Sequence, residues 1–389
     1  MTHYGLTFLF LFCWGPTAQS ETSDSLRTLH KILFSNYSTA IRPQYNQSEP
    51  TVVGLKLFIS NLIEMNEVQQ FISLSCFFNI SWTDEFLQWK PEHHGGIQKM
   101  QVESANIWKP YLDLYSSLDD TDLFGDERYR LSVLHDGRVT WHPTKTLRVS
   151  CLMNVEKFPF DVQECSLTFS PLQYTFEEVQ LEARDFLSVF AISKRHGEWE
   201  AVNSSVIVFS HTFDGNKLSI LSTSVRYKRQ HMFFVLNFMV PIIMLSLLNL
   251  LTFWLPNDSG EKTSFSITVL LALTVFLTTV SSYLPRTSSN MIFITTYITC
   301  LLLQSGLTVL ATIVMLYFHH RNKDLSEREE DHVADLNAKR ITGCQRLKAV
   351  WGSKCCNNCL KIDVLMFLIF FLAWCTTTFW FFAYVRVPT

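Results

Sequence analysis

Residues 261–284 read EKTSFSITVLLALTVFLTTVSSYL, and this stretch decides the fold. After Glu261 and Lys262 it carries no charge, and it supplies the roughly 20 residues that a helix needs to cross a hydrocarbon core. Its hydroxyls set it apart from an ordinary spanning helix: Thr263, Ser264, Ser266, Thr268, Thr274, Thr278, Thr279, Ser281 and Ser282. Stepping by four and three puts Ser264, Thr268, Leu271, Val275, Thr278 and Ser282 on one stripe, polar at both ends and apolar in the middle. That pattern suits a pore. Hydroxyls replace part of an ion's hydration, and a belt at Leu271 and Val275 closes the path by dewetting, with Leu271 the expected gate. Glu261, at the cytoplasmic end, would form a ring of carboxylates in an oligomer and favour cations. The alternative is that these hydroxyls bond their own helix or a neighbouring one.

Working outward, apolar segments at 233–255, 264–284, 291–318 and 362–385 are each long enough to span a bilayer, and in lipid such segments must be helices. Pro241 removes a hydrogen bond from the first and predicts a kink or loosened turn. Asn249 on the same segment needs a partner helix or water, so its face points inward. With an exported N-terminus, four crossings leave residues 386–389 outside and one sizeable cytoplasmic loop, 319–361. That loop holds nine Lys or Arg against six acids, in keeping with the positive-inside tendency. Its stretch DLSEREEDHVADLNAKR reads as a solvated helix or as a disordered linker. Cys344, Cys355, Cys356 and Cys359 fall in the loop and are candidates for palmitoylation or, less readily, for zinc.

The 48% apolar and 17% charged composition is therefore unevenly spread: the part before residue 233 is mixed and polar. Residues 1–20 hold a short apolar run and a small-x-small end, the pattern of a signal peptide. Sequons at Asn36, Asn46, Asn79 and Asn203 are candidate glycosylation sites on the exported side. Between residues 52 and 227, runs such as VVGLKLFIS, VQQFISLSCFFNISW and KLSILSTSVRY alternate with period two and are punctuated by Gly, Pro, Asp or Asn. They predict an all-β sandwich, with no helix of ten residues before Met232. The net charge of −3 gives no nucleic-acid footprint. No nucleophile–base pair, phosphate loop or HExxH motif points to an enzyme, and no cofactor is called for.

The stretch 151–165, CLMNVEKFPFDVQEC, brackets Phe158-Pro159-Phe160-Asp161 between two cysteines. Together with Trp82-Thr83-Asp84, Ile107-Trp108-Lys109-Pro110, Gly197-Glu198-Trp199-Glu200 and Leu255-Pro256-Asn257-Asp258-Ser259-Gly260-Glu261-Lys262, it resembles the Cys-loop receptors, the pentameric ligand-gated channels. Within them the chain looks most similar to the cation-conducting type-3 hydroxytryptamine receptors and the zinc-activated channel. The resemblance implies an extracellular, immunoglobulin-like ten-strand sandwich (residues 21–232), a four-helix transmembrane bundle and five subunits around a pore. It also implies a Cys151–Cys165 disulfide, worth about 3 kcal/mol in the chain-entropy account. By the same resemblance Glu64, Asp161, Arg229 and Pro285 couple the sandwich to the helices, the three charges through charge-assisted hydrogen bonds.

Relatives that bind ammonium transmitters use an aromatic cage between subunits. The matching positions here are Phe77, Trp108, Tyr115, Leu172, Phe209 and Phe213, and Leu172 stands where the hydroxytryptamine receptors have a tryptophan. A metal or a proton is therefore the competing ligand, with His93 and His94 the candidate metal site. Cys76 reads as a buried thiol. The expectation is a plasma-membrane cation-channel subunit. Its partners would be identical or related subunits, a small extracellular ligand or metal ion, permeant monovalent cations and lipid. The alternatives are a hydroxytryptamine-type transmitter-gated channel and an accessory subunit that conducts only in heteromers.

Overall fold

The computed structural model describes residues 23–119, 130–184, 196–256, 260–285, 292–337 and 348–385. The expected signal peptide and the 386–389 tail lie outside the described residues. The first described element is helix α1 (Ser23–Phe34), against the expectation of no helix of ten residues before Met232. Leu29 is fully buried, and Leu33 and Phe34 pack on the sandwich core. Three turns with so few inward residues give a weak periodic signal, and tertiary packing holds the helix in place.

Two sheets follow. The larger is ordered β3-β5-β6-β2-β1-β9, with β7 also paired to β2. Its strands are β1 (Thr51–Asn66), β2 (Phe71–Gln88), β3 (Lys99–Glu103), β5 (Arg130–Leu134), β6 (Asp136–Trp141), β7 (Thr144–Ser150) and β9 (Val179–Ala183). The smaller is ordered β10-β11-β8-β4, from β4 (Asp113–Leu114), β8 (Val162–Ser170), β10 (Trp199–Phe213) and β11 (Asn216–Arg229). Alternation sends one face of each strand into a shared core that includes Trp82, Trp108, Trp141 and Trp199. In β11 the inward set is Ser219, Leu221, Thr223, Val225, Tyr227 and finally Arg229. Period two thus carries a guanidinium into the base of the sandwich. Cys76 is fully buried as expected, and burial pushes its thiol pKa up.

Among the described residues, four helical segments are long and apolar enough to cross a membrane: Met232–Trp254, Glu261–Ser282, Phe293–Arg321 and Lys361–Tyr384. The first comprises α2 (Met232–Phe234), a π-helical turn at Val235–Met239 and α3 (Val240–Leu251). The wide turn sits where the Pro241 ring would meet the carbonyl of Asn237, so the expected disturbance is absorbed locally. Asn249 is buried as its polarity demands, donating to Thr308 Oγ1 at 3.2 Å and accepting from Ser305 Oγ at 3.2 Å. Next come α4 (Glu261–Ser282), α5 (Phe293–Asn337) and α6 (Lys348–Val385). The charged stretch after residue 324 continues α5 as a helix through Asn337, which selects the helical alternative for that part.

Candidate functional site

Three regions carry the residues singled out by sequence. In the first, α4 starts after Gly260, whose φ of 68° is a left-handed conformation that glycine adopts without strain. The buried face of α4 is Lys262, Ser266, Val269, Leu273 and Val280. Glu261, Ser264, Thr268, Leu271, Val275, Thr278 and Ser282 all lie on the exposed side, with Leu271 60% and Val275 63% exposed. Their hydroxyls do bond the helix itself: Thr268 donates to the Ser264 carbonyl (2.8 Å), Thr278 to Val275 (2.8 Å) and Ser282 to Thr279 (2.7 Å). The two readings of these hydroxyls are therefore compatible. A hydroxyl whose proton is spent on the backbone keeps its acceptor lone pairs for the outside, and acceptors suit cations.

The second region joins the sandwich to the helices. Cys151 and Cys165 are disulfide-bonded. Between them, Val155 and Phe158 bury in the same cluster as Phe234, Leu284 and Ile294 of the membrane part, and the Phe293 amide donates to the Glu156 carbonyl at 3.1 Å. Arg229 Nε donates to Asp161 Oδ1 (2.8 Å), and its Nη2 donates to Asp161 Oδ2 (3.2 Å) and Glu67 Oε1 (2.7 Å). Its guanidinium lies 4.1 Å from the Trp199 ring centre, 4.9 Å from Phe158 and 5.4 Å from Phe234. Burial alone would lower the Arg229 pKa, but the hydrogen bonds and charges of Asp161 and Glu67 outweigh it and raise it. Gln163 donates to Asp161 as well, and exchanges hydrogen bonds with the Asn154 backbone.

One expected member is elsewhere. Glu64 does not join Asp161 and Arg229: β1 extends to Asn66 with two register shifts, so Glu64 lies within the strand, exposed and accepting from Asn66 Nδ2. Glu67, the first residue of the turn, takes the place assigned to it. A turn carboxylate can point back under the sheet, whereas the face of a strand residue is fixed by the pleat. Pro285 is buried at the end of the α4 segment, next to Leu284.

The third region is the outward face of the smaller sheet. Tyr115 hangs from the Thr168 carbonyl by its amide (2.9 Å) and is 75% exposed; Leu172, Phe209 and Phe213 are also exposed. The face between is paved with paired hydroxyls, Thr168 with Ser222 at 3.1 Å and Ser166 with Ser224 at 2.8 Å. Phe77 is exposed on β2, in the other sheet, so one chain does not gather the expected ring set. Trp108 is a correction: it is fully buried, edge-on to Trp82 at 5.8 Å with Nε1 donating to the Tyr174 hydroxyl (3.2 Å), and cannot touch a ligand. Behind it the Tyr37 hydroxyl donates to Asp84 Oδ2 (2.7 Å) and accepts from the Trp108 amide (3.0 Å). Burial raises the Asp84 carboxyl to about 6, against the lowering effect of the Tyr37, Phe86 and Leu87 hydrogen bonds.

His93 and His94 belong to a single 3₁₀ turn at Pro91–His93 and its cap. Among the described residues no group of three or more His, Cys, Asp or Glu is placed to hold a metal ion, so this pair gathers no further ligands there. Asn36, Asn46 and Asn203 are exposed, while Asn79 is half-buried in mid-strand.

Comparison with known proteins follows the same division. Residues 26–233 match the family described as neurotransmitter-gated ion-channel ligand binding domain, and residues 238–349 match neurotransmitter-gated ion-channel transmembrane region. Neuronal acetylcholine receptor subunit alpha-6 of Mus musculus is 32% identical over 326 residues, covering 81% of this chain and 63% of the relative. Subunit alpha-3 of Rattus norvegicus is 29% identical, covering 78% and 61%, and subunit alpha-6 of Homo sapiens is 32% identical, covering 76% and 60%. The chain thus spans about three-fifths of the length of these curated relatives. They are acetylcholine receptor subunits, not the hydroxytryptamine or zinc-activated channels that the sequence reading favoured.

Proposed function

From the premise that this chain belongs to the neurotransmitter-gated ion-channel family, we propose that it is one of five subunits of a cation channel opened by an extracellular ligand. It is a multi-pass plasma-membrane protein whose sheet domain faces outside, in a family without catalytic activity. The observation that carries the reading is the exposed stripe of α4. A row of hydroxyl acceptors cannot face lipid without cost, and five such stripes around an axis line a path with acceptors at both ends. Leu271 and Val275 close that path as a dry belt, and Glu261 gives its cytoplasmic mouth a negative ring. Movement of the sandwich reaches the helices through the disulfide loop, Arg229, Asp161 and Pro285, with Glu67 in place of Glu64.

The ligand is bound between subunits, with Tyr115, Leu172, Phe209 and Phe213 on one chain facing Phe77 of the next. Acetylcholine, taken from the names of the relatives, joins serotonin, zinc, copper and protons as ligands to be tried. Aliphatic Leu172 and a hydroxyl-paved face give a cation fewer ring contacts than a full cage. They favour a second reading, in which this chain lines the pore of a heteromer whose agonist site another subunit completes. Current is recorded from cells expressing the chain alone while the five ligands are applied in turn. A cation current under one of them is expected. Silence under all five, with surface expression verified, refutes the homomeric channel and leaves the heteromeric one. Glu261→Ala is expected to weaken cation preference; an unchanged reversal potential in asymmetric salt refutes the filter.

A further inference from the structure

The sequon at Asn79 lies in β2, two residues from Phe77. Side chains alternate along a strand, so Phe77 and Asn79 stand on one face of the larger sheet, about 7 Å apart. Phe78 and Ile80 turn the other way, into the core. The register sets Phe58 opposite Phe77 and Lys56 opposite Asn79. Lys56 is drawn over the aromatic pair, its Nζ 5.1 Å from the centre of the Phe58 ring. Among the described residues no hydrogen bond engages the Asn79 side chain, whereas Asn46 donates from its Nδ2 to Glu49 Oε1 at 3.0 Å. A free amide nitrogen thus sits half-buried on the outward face of an exported domain, in an Asn-Ile-Ser triplet that accepts N-linked sugar.

We propose that Asn79 carries an N-linked glycan that screens Phe77 and so selects which ligands reach that face. This rests on the reading that the ligand binds between chains against Phe77. In the transfer, Asn79 Nδ2 forms a C–N bond to the anomeric carbon of an oligosaccharide borne on a lipid diphosphate. The bond from that carbon to the diphosphate oxygen breaks, the lipid diphosphate leaves and the amide gives up one proton. Donor and transferase belong to the export pathway, and transfer precedes strand pairing, so the half-burial of Asn79 in the finished sheet is no obstacle. The finished sheet directs the sugar outward, over the row that includes Phe77. A glycan is bulky and hydrated. Beside the ring it leaves passage for protons and metal ions, and it takes the space in which an ammonium molecule would lie on the ring face. With Leu172 opposite, the site then loses ring contacts from both chains.

Three measurements test this. Occupancy is read on surface-labelled, full-length chain by enzymatic deglycosylation in heavy-oxygen water, which marks every asparagine that had carried a sugar, followed by peptide mass spectrometry. Asn79 is expected to be marked; an unmarked Asn79 in surface protein overturns the proposal. Screening is read without current. Phe77→Cys chains on intact cells are labelled with a membrane-impermeant thiol reagent, against the background of the unsubstituted chain. Labelling should speed up severalfold when Asn79→Gln is added, and likewise when cells carrying Phe77→Cys alone are treated with an N-glycosidase, an arm that needs no second substitution to fold. An unchanged rate in both arms overturns the screen. In conducting channels, Asn79→Gln should lower the half-maximal concentration of acetylcholine or serotonin about two- to thirtyfold, the effect of regaining a ring face, and leave the responses to zinc, copper and acid unmoved. Equal shifts for all of them overturn the selection. A chain that is silent under every ligand yet shows occupancy and screening refutes the homomeric channel and leaves the glycan standing.

Discussion

The base of the sandwich and the outward face of its smaller sheet both carry aromatic rings and polar groups, yet they are finished to different degrees. At the base, Arg229 is enclosed by three rings and two carboxylates, all from the same chain. On the outward face the hydroxyls pair sideways with one another, and Tyr115, Phe209 and Phe213 stand in solvent. A site that one chain completes hides its charges and fixes its geometry. A site that awaits a neighbour shows rings without partners. Mutations should therefore act on stability at the base and on ligand response at the face.

The largest effect is expected at Arg229. Arg229→Gln leaves Asp161 and Glu67 without their counter-charge in a buried setting, a loss of about 3–5 kcal/mol. Against a total stability of about 5–15 kcal/mol, that should abolish surface expression, measured by labelling of intact cells. Arg229→Lys keeps the charge but loses the fork that reaches both carboxylates, and should fall between. Normal surface levels for Arg229→Gln would break the comparison at its stronger end. Next is the disulfide: Cys151→Ser/Cys165→Ser should cost about 3 kcal/mol, read as a lower melting temperature in non-reducing buffer, with no loss if the loop is held by Phe158 and Val155 alone.

The sequence made much of this legible, and the exceptions share a cause. Four spans were readable because bilayer thickness imposes a length, and most long strands because burial on one face imposes alternation. The α4 stripe was readable because 3.6-residue periodicity survives burial. By contrast, replacing Glu64 with Glu67 depends on how far β1 runs and on two register shifts, which no local pattern encodes. The Lys262–Asp363 pair joins residues about a hundred positions apart, and no periodicity spans that distance. Trp108 is a match to the family by sequence position alone, which carries no information on burial; packing against Trp82 puts it in the core. His93 and His94 sit in a 3₁₀ turn whose Pro91 start was visible, though not what surrounds it. Helix α1 was lost because three turns with few buried residues leave little pattern.

Asp84 sharpens the comparison, because it is buried like Asp161 but faces a neutral phenol, with Glu85 the neighbouring charge that further raises it. Its carboxyl titrates at about 6 against a reference of 3.8. Because the folded pKa lies above the unfolded one, the stabilisation it gives is full below about pH 4 and is lost as pH rises through about 6. The change is about 3 kcal/mol. Subtracting the melting curves of an Asp84→Asn variant from those of the full-length chain between pH 4 and 7 should isolate that slope. Parallel curves would mean that the carboxylate is compensated in a way its partners do not account for.

The smallest effect on stability, and the one that most directly probes the unfinished face, is expected at Tyr115. At 75% exposure its ring contributes little to the fold, so Tyr115→Ala should change stability by no more than about 0.5 kcal/mol. A ring facing a cationic ligand contributes roughly 0.5–2 kcal/mol, so the same change should shift the half-maximal concentration of an ammonium agonist about two- to thirtyfold. A metal or a proton would be indifferent to the loss of a ring. Tyr115→Phe keeps the ring face and should keep most of the sensitivity to an ammonium ligand, whereas a requirement for the hydroxyl would make Phe as damaging as Ala. The pair of substitutions thus tells a ring-binding ligand from a hydrogen-bonding one at a position where the fold has nothing at stake.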